Sequence, residues 1–409
     1  MNRNRRPGRR VVITSTGLFS AMGSSPLEIA DTIRHDRVHF QHPDDDPELA
    51  VCPVNDFDLR QHTGRCKDAR YLNRGAAFAL AAALIAVKQS GLDRQSLENG
   101  GLFAASGPNM DISGECPDII HGRISSRDLP ALFLLKFLPN TATSLISQLA
   151  GIHGENLTLG SACAASLMAI GEGFRRIRDG YLDVAVAGGG DSRLSPCGLL
   201  SYKKAGALWQ GTEDPAMAYA PFDAGRKGFI PGEGGAFFVL ESLDHAERRS
   251  AVIHAEIKGY GSSLDGYAMT APRPDGIWAK KAVAAALAQA GVSPSHVDLI
   301  STHGTGTALN DSMEIQLIKD VFSNDRPRLV AFKSFIGHLA SSCGAVELAL
   351  CLACSENKLW PQIRNLKTPI DPDLDYMEDS GVFSPRCILV ENFGFGGQNS
   401  ALVVEPWTR

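Results

Sequence analysis

Three things are scarce in this chain: long apolar runs, regularly spaced cysteines, and an excess of charge of either sign. No segment offers the roughly 18 uninterrupted apolar residues of a spanning helix. The basic start, Met1 to Arg10, is followed by an apolar stretch that breaks at Thr14, Ser15, Thr16 and Gly17, too short and too polar for the apolar region of a signal peptide. These absences predict a soluble cytoplasmic protein. Nine cysteines, an odd number without regular spacing, fit buried or reactive thiols in a reducing compartment better than a disulfide framework. The one CxxC, Cys351-Leu352-Ala353-Cys354, lies inside the apolar run Val346 to Cys354 and has no second ligand pair, so it reads as a packed helix face and no metal is expected. A formal net charge of -5 leaves nothing global to attract nucleic acid or an anionic membrane, and any acidic partner must meet a local basic patch.

With 409 residues, 44% of them hydrophobic, the chain can bury a large core and would ordinarily form two or three domain-sized units. Short β-like runs alternate with small-residue helical runs, the pattern of a layered α/β fold. Val11 to Thr14, Leu102 to Ala105, Leu157 to Leu159, Val184 to Ala187 and Phe237 to Leu240 read as strands, and Ala76 to Gln89 and Ala164 to Arg178 as helices. A second set follows in similar order: strands at Val252 to Ile257, Leu299 to Thr302 and Leu329 to Lys333, with a helix at Ile277 to Ala290. The glycine-rich lead into Val239-Leu240-Glu241 is echoed by Phe393-Gly394-Phe395-Gly396-Gly397 before Leu402-Val403-Val404-Glu405. A pattern that occurs only twice predicts a duplicated α/β unit, with halves at residues 1–250 and 251–409 and a site where they meet, at the carboxyl ends of the strands.

Three reactive side chains stand at turns with small neighbours. Cys163, in Gly160-Ser161-Ala162-Cys163-Ala164-Ala165-Ser166, comes at a helix start, where the macrodipole and free backbone N–H groups favour the thiolate. A buried structural cysteine is the plain alternative, and it is the reading taken for Cys52, Cys66, Cys116, Cys197, Cys343 and Cys387. His303 opens His303-Gly304-Thr305-Gly306-Thr307, whose glycines let a ligand approach the backbone and whose hydroxyls can bond a flexible substrate arm; a tight turn capping a helix is the alternative. His338 closes Lys333-Ser334-Phe335-Ile336-Gly337-His338 and reads either as a catalyst or as a histidine packed after a strand, and Lys333 either as part of that turn or as a solvated lysine.

Taken in order, Ala162-Cys163-Ala164, Pro221-Phe222-Asp223 through Gly232-Glu233-Gly234, His303 to Thr307 with Asp311 and Glu314, Lys333-Ser334 with Gly337-His338, and Asn392 to Gly397 make the chain resemble a β-ketoacyl-acyl carrier protein synthase of the type II elongating class over nearly its whole length. The resemblance implies a thiolase-like fold of two duplicated halves in α-β-α-β-α layers. It implies that Cys163 takes an acyl group from the phosphopantetheine of an acyl carrier protein, with the N–H groups of Cys163 and Phe393 as oxyanion hole. His303 and His338, neutral and donating, would then stabilise the enolate left when malonyl-acyl carrier protein loses carbon dioxide. By the same resemblance Lys333 pairs with Glu347, Thr305, Thr307 and Thr270 bind the pantetheine arm, and Phe393 gates the acyl side. Phe395, Phe229, Pro108, Asn109 and Met110 complete the gate and pocket. No cofactor is implied beyond the carrier's phosphopantetheine, and the expected assembly is a homodimer or a heterodimer with a ketosynthase-like partner.

The chain departs from the family's pattern at Leu72-Asn73-Arg74-Gly75, at Ala165 two places after the nucleophile, and in the loop Gly107 to Asp111. Gly211-Thr212-Glu213-Asp214-Pro215 is acidic where carrier docking calls for basic residues, which leaves Arg65, Lys67, Arg70, Arg74, Lys203 and Lys204 as docking candidates. Two rival readings go with the same fold: a non-condensing partner subunit of the chain-length-factor type, which characteristically lacks the nucleophile, and a coenzyme A-dependent thiolase or starter synthase.

Overall fold

A computed structural model describes residues 8–109, 131–323 and 325–408. Met110 and Cys116 lie outside the described residues. The first half runs β1 (Val11–Phe19), α1 (Arg74–Ser90), β2 (Gly101–Ala105), α2 (Thr141–Ala150), β3 (Asn156–Leu159), α3 (Ala165–Arg178), β4 (Val184–Ser192) and β5 (Glu233–Ser242). The second runs β6 (Ala255–Leu264), α4 (Ile277–Ala290), β7 (Leu299–Ser301), α5 (Ala308–Phe322), β8 (Arg328–Val330), α6 (Cys343–Asn357), a ribbon of β9 (Leu359–Trp360) and β10 (Gly381–Val382), then β11 (Ile388–Gly394) and β12 (Gln398–Pro406).

The duplication is explicit in the strand order, β3-β2-β4-β5-β1 followed by β6-β12-β11-β7-β8. Read inward from each outer edge, the two sets match strand for strand. They also match in sense: β2 is parallel to β3 and β4, while β5 is antiparallel to β4 and β1. Likewise β7 is parallel to β8 and β11, while β12 is antiparallel to β11 and β6. The sets join where Val11, Val12 and Ile13 pair antiparallel with Ile257, Glu256 and Ala255.

α3 and α6 form the middle layer, touching each other and strands of both sets, while α1 and α4 cover the outer faces. Burial follows from sequence here. α6 is buried from Cys343 to Cys354, apolar all round except for Glu347, as a helix between two sheets must be. Cys351 and Cys354 are buried in this helix, and the Cys343 sulfur at its start lies 3.6 Å from His338 Nδ1. Close approach of the middle helices depends on Gly344, where an added Cβ would sit 2.6 Å from the Leu167 Cβ and 2.3 Å from the Asn392 Oδ1.

β1, β4 and β5 run longer than their sequence reading, and two further elements differ for physical reasons. β6 begins at Ala255 and runs on to Leu264 through Gly259 and Gly261, residues that ordinarily weaken a strand. They are there because α4 lies against them: a Cβ at Gly259 would meet the Ala286 carbonyl oxygen at 2.1 Å, and one at Gly261 the Ala282 oxygen at 2.0 Å. β8 ends at Val330, so Lys333 does not close a strand but opens a single helical turn, Lys333–Ile336.

Candidate active site

After β3 the chain passes through a 3₁₀ turn, Ala162–Ala164, directly into α3, and this turn carries Cys163. Ala162 has φ +45°, a left-handed conformation that a side chain makes unfavourable by about 1–2 kcal/mol. The turn leaves the thiol facing the two histidines of the second half. Burial pushes that thiol up to about 11, against the opposing pull of Lys333 and of the backbone N–H groups of Phe395 and Cys163 itself. The helix start therefore does not by itself produce a thiolate, as its position alone predicted; desolvation outweighs it.

His303 follows β7 and is buried. Its own N–H donates to Glu314 Oε1 at 2.5 Å and the Gly304 N–H to Glu314 Oε2 at 2.9 Å, so one carboxylate on α5 fixes the turn. Glu314 also packs against Glu391. Burial and the neighbouring charge of Asp311 push Glu314 up to about 7, and burial holds Glu391 well above the usual carboxylate range. His338 is held by the first half: its N–H donates to the Ile230 carbonyl at 2.7 Å, and its carbonyl accepts from the Gly232 N–H at 2.9 Å. Gly337, at φ +73°, makes this crossing possible, because a Cβ there would lie 2.9 Å from the Ile230 oxygen.

The hydrogen bonds around the two rings decide where their protons sit. His338 Nδ1 accepts from the Ala340 N–H at 3.0 Å. His303 Nδ1 faces Asn392 Nδ2 at 3.3 Å, and that same amide donates to Glu347 Oε2 at 2.7 Å, an acceptor that fixes the amide's orientation. Both rings thus carry their proton on Nε2. Burial, reinforced by the charge of Lys333, pushes His338 down to about 3 and His303 well below its ordinary value, so both are neutral donors at physiological pH. The Cys163 sulfur and one nitrogen of each ring lie within 4.8 Å of one another. Thiol and two imidazoles would suit a soft metal, but a ligating ring needs its free nitrogen unprotonated and its other N–H donating outward, the reverse of what is built here.

Lys333 is buried beside Glu347, and their ion pair is close. Burial alone would push the Lys333 ammonium down; the Glu347 carboxylate overcomes this and holds it charged. Lys333, Glu347, Asn392 and His303 form a continuous line from α6 across β11 to β7. Sequence reading met Asn392 only as the first residue of the motif Asn392 to Gly397 and gave it no role of its own. Its signal is a polar pair, Glu391-Asn392, inside an otherwise apolar strand.

These groups open into a cavity of about 420 Å³ lined by Cys163, His303, His338, Thr270, Thr305, Thr307, Phe229, Phe393 and Phe395. The Thr305 and Thr307 hydroxyls are 2.9 Å apart, and Thr307 also accepts from the Asn310 N–H at the start of α5, so lining and capping coexist in one residue. Phe229 packs on the His338 ring at 4.7 Å. Phe393 and Phe395, both expected at the gate and pocket, both line the cavity but are held differently. Phe393 is paired with Asn399 in the β11–β12 ladder and buried edge-on against His303 at 5.8 Å, whereas Phe395 is at the hairpin tip between Gly394 and Gly396, and its N–H is the one facing the sulfur. The gate and second oxyanion donor assigned to Phe393 from sequence fit Phe395 better, because a residue held in a ladder cannot swing. Pro108 and Asn109 are not among the residues lining this cavity: the Pro108 carbonyl accepts from Arg193, and Asn109 Nδ2 donates to the Lys136 carbonyl at 2.7 Å. Of the docking candidates, Arg74 is bound to Glu233 at 2.7 Å and Lys203 to Asp46 at 2.5 Å, while Arg65, Lys67, Arg70 and Lys204 are exposed.

A duplicated α/β fold that brings one thiol and two neutral imidazoles to the junction of its halves defines a thiolase-like condensing protein. Residues 9–246 match the N-terminal domain of beta-ketoacyl synthases and residues 254–367 their C-terminal domain, and the chain belongs to the beta-ketoacyl synthase family. It is 32% identical over 414 residues to 3-oxoacyl-[acyl-carrier-protein] synthase 2 of Synechocystis sp., covering 98% of each chain. Among solved structures it resembles the ishigamide ketosynthase/chain length factor (30% identity, TM-score 0.88) and a type II polyketide acyl-carrier protein complex with its ketosynthase bound to the hexaketide (27% identity, TM-score 0.87). In both cases 98% of this chain and 100% of the other are covered.

Proposed function

We propose that the protein condenses a Cys163-bound acyl group with malonyl-acyl carrier protein, releasing carbon dioxide and a 3-oxoacyl-acyl carrier protein two carbons longer, in fatty acid or specialised polyketide synthesis. The observation that carries this reading is the pair of Nε2–H donors beside a buried thiol. In the first half-reaction the Cys163 sulfur bonds to the acyl carbon, the bond between that carbon and the pantetheine sulfur breaks, and the thiol proton leaves on the departing pantetheine sulfur. The N–H groups of Cys163 and Phe395 receive the oxyanion. In the second, the malonyl C–CO₂ bond breaks and its electron pair forms an enolate whose oxygen accepts from His303 and His338. The enolate carbon then bonds to the acyl carbon and Cys163 leaves as a thiolate, which Lys333 stabilises until a proton from solvent restores the resting thiol. Charge develops on oxygen beside buried side chains, where fixed neutral donors are most effective.

The hydroxyls of Thr305, Thr307 and Thr270 at the cavity mouth suit the amides of a pantetheine arm, which is the only prosthetic group the reaction calls for. Phe395 is the proposed acyl gate, its neighbouring glycines supplying the freedom to move. The halves divide at about residue 250, between the two matched domains. No helix among the described residues is long and apolar enough to cross a membrane, in keeping with work in the cytoplasm on a carrier protein. The similar ishigamide ketosynthase/chain length factor supports a dimer with a ketosynthase-like partner, and a dimer of two copies is the other assembly proposed. A non-condensing subunit would have no use for the proton placement on His303 and His338. His303→Ala and His338→Ala should each cut carbon dioxide release from malonyl-acyl carrier protein by about 100-fold or more while alkylation of Cys163 persists. Normal release in both variants would end the enolate assignment.

A further inference from the structure

Asp191 lies near the end of β4 in the first half, buried and away from the cavity wall, and its carboxylate reaches into the second half. Oδ2 accepts from the Ser341 N–H at 3.0 Å, from the Ser341 hydroxyl at 2.7 Å and from Arg193 Nη2 at 3.0 Å, and Oδ1 accepts from the Ser192 N–H at 2.8 Å. Ser341 belongs to the 3₁₀ turn Ala340–Ser342 that leads into α6 and has no side-chain cap of its own. Ala340 in that turn has φ +47°, unfavourable for a residue with a side chain, and its N–H is the donor to His338 Nδ1. A strained turn therefore sets the His338 tautomer, and Asp191 pins that turn through both polar groups of the next residue.

We infer that Asp191 is a positioning residue for the decarboxylation half-reaction, acting through Ser341 and Ala340 to keep the His338 proton on Nε2. The inference rests on the condensing role proposed above. Without the carboxylate the turn is free to relax, the Ala340 N–H withdraws from Nδ1, and the proton distributes over both ring nitrogens. Acyl loading should respond differently. The Asp191 charge opposes ionisation of Cys163, so removing it leaves the thiol no less reactive.

The test is Asp191→Asn, with Ser341→Ala as a milder variant that leaves the Asp191–Arg193 pair in place. The expected result for Asp191→Asn is a fall of about tenfold or more in carbon dioxide release from malonyl-acyl carrier protein, with alkylation of Cys163 by iodoacetamide unchanged or faster. Ser341→Ala should show a smaller fall in the same direction, and it decides the matter if Asp191→Asn does not fold. Nitrogen-15 NMR of the histidine rings should show the Nε2–H form of His338 in the unaltered protein and a mixture in the variants. Unchanged carbon dioxide release, an unchanged tautomer, or alkylation falling in parallel with release would each overturn the inference. If the unaltered protein itself releases no carbon dioxide, it is the condensing role that fails, and the NMR comparison still judges the Asp191 link.

Discussion

The reactive residues are tuned in opposite directions by one cause. Burial raises the Cys163 thiol and lowers both histidines, so the resting site holds a protonated thiol beside two neutral imidazoles. The consequence for pH is specific. His338, down at about 3, does not titrate between pH 5.5 and 8, so its ring puts no limb on carbon dioxide release there, and a limb near pH 7 belongs to the Glu314 carboxyl that holds the His303 turn. Glu314→Gln should leave release flat across that range, and a limb near pH 6.5 that survives this substitution would show that an imidazolium forms. The linkage sign follows from the lowered value: between pH 6.5 and 3 the unfolded chain binds more protons than the folded one, so this histidine's share of stability is lost as pH falls through that window. Cys163 and both histidines could be read from their turns and from family resemblance, because small residues flank each. That both rings are neutral donors was implied by the same resemblance; which nitrogen carries the proton was not legible, since it depends on Asn392 and Ala340, which sequence spacing does not connect to any ring.

At the scale of elements, the site is held by β11 and α6 more than by the turns that display its residues. Asn392 is where a strand of the second sheet serves both the Lys333–Glu347 pair and His303. Asn392→Ala should leave Glu347 short of a donor and His303 free to change tautomer. The expected outcome is a loss of about 1–3 kcal/mol in unfolding free energy and reduced carbon dioxide release, read by denaturant titration and by product assay. Unaltered release would remove Asn392 from the relay. β11 is also the strand that sequence reading passed over, because Glu391 and Asn392 interrupt its apolar alternation. β6 was read short for a related reason, its glycines being chosen for contact with α4 and not for strand preference. By contrast α4 was legible end to end, since an alanine-rich run between Gly276 and Gly291 has its stop written in the sequence.

For the molecule as a whole, duplication places a functional turn from each half against the other, and the paired helices α3 and α6 set how closely the halves meet. The rhyme between the halves was visible in sequence as repeated glycine-rich leads; the shared strand order required the structure. Gly344→Ala tests how tight this middle layer is. The added methyl would overlap Leu167 and Asn392, and overpacking of this kind costs about 1–3 kcal/mol. A melting temperature lowered by several degrees is expected, and an unchanged one would mean that the helices can part without penalty.

The central claim is that Cys163 carries the acyl group, and intact-protein mass spectrometry after mixing with an acyl-acyl carrier protein tests it most directly. The protein should gain the mass of one acyl group less one hydrogen, and Cys163→Ala should gain nothing. Absence of the adduct on the unaltered protein, or its persistence on Cys163→Ala, would contradict the account.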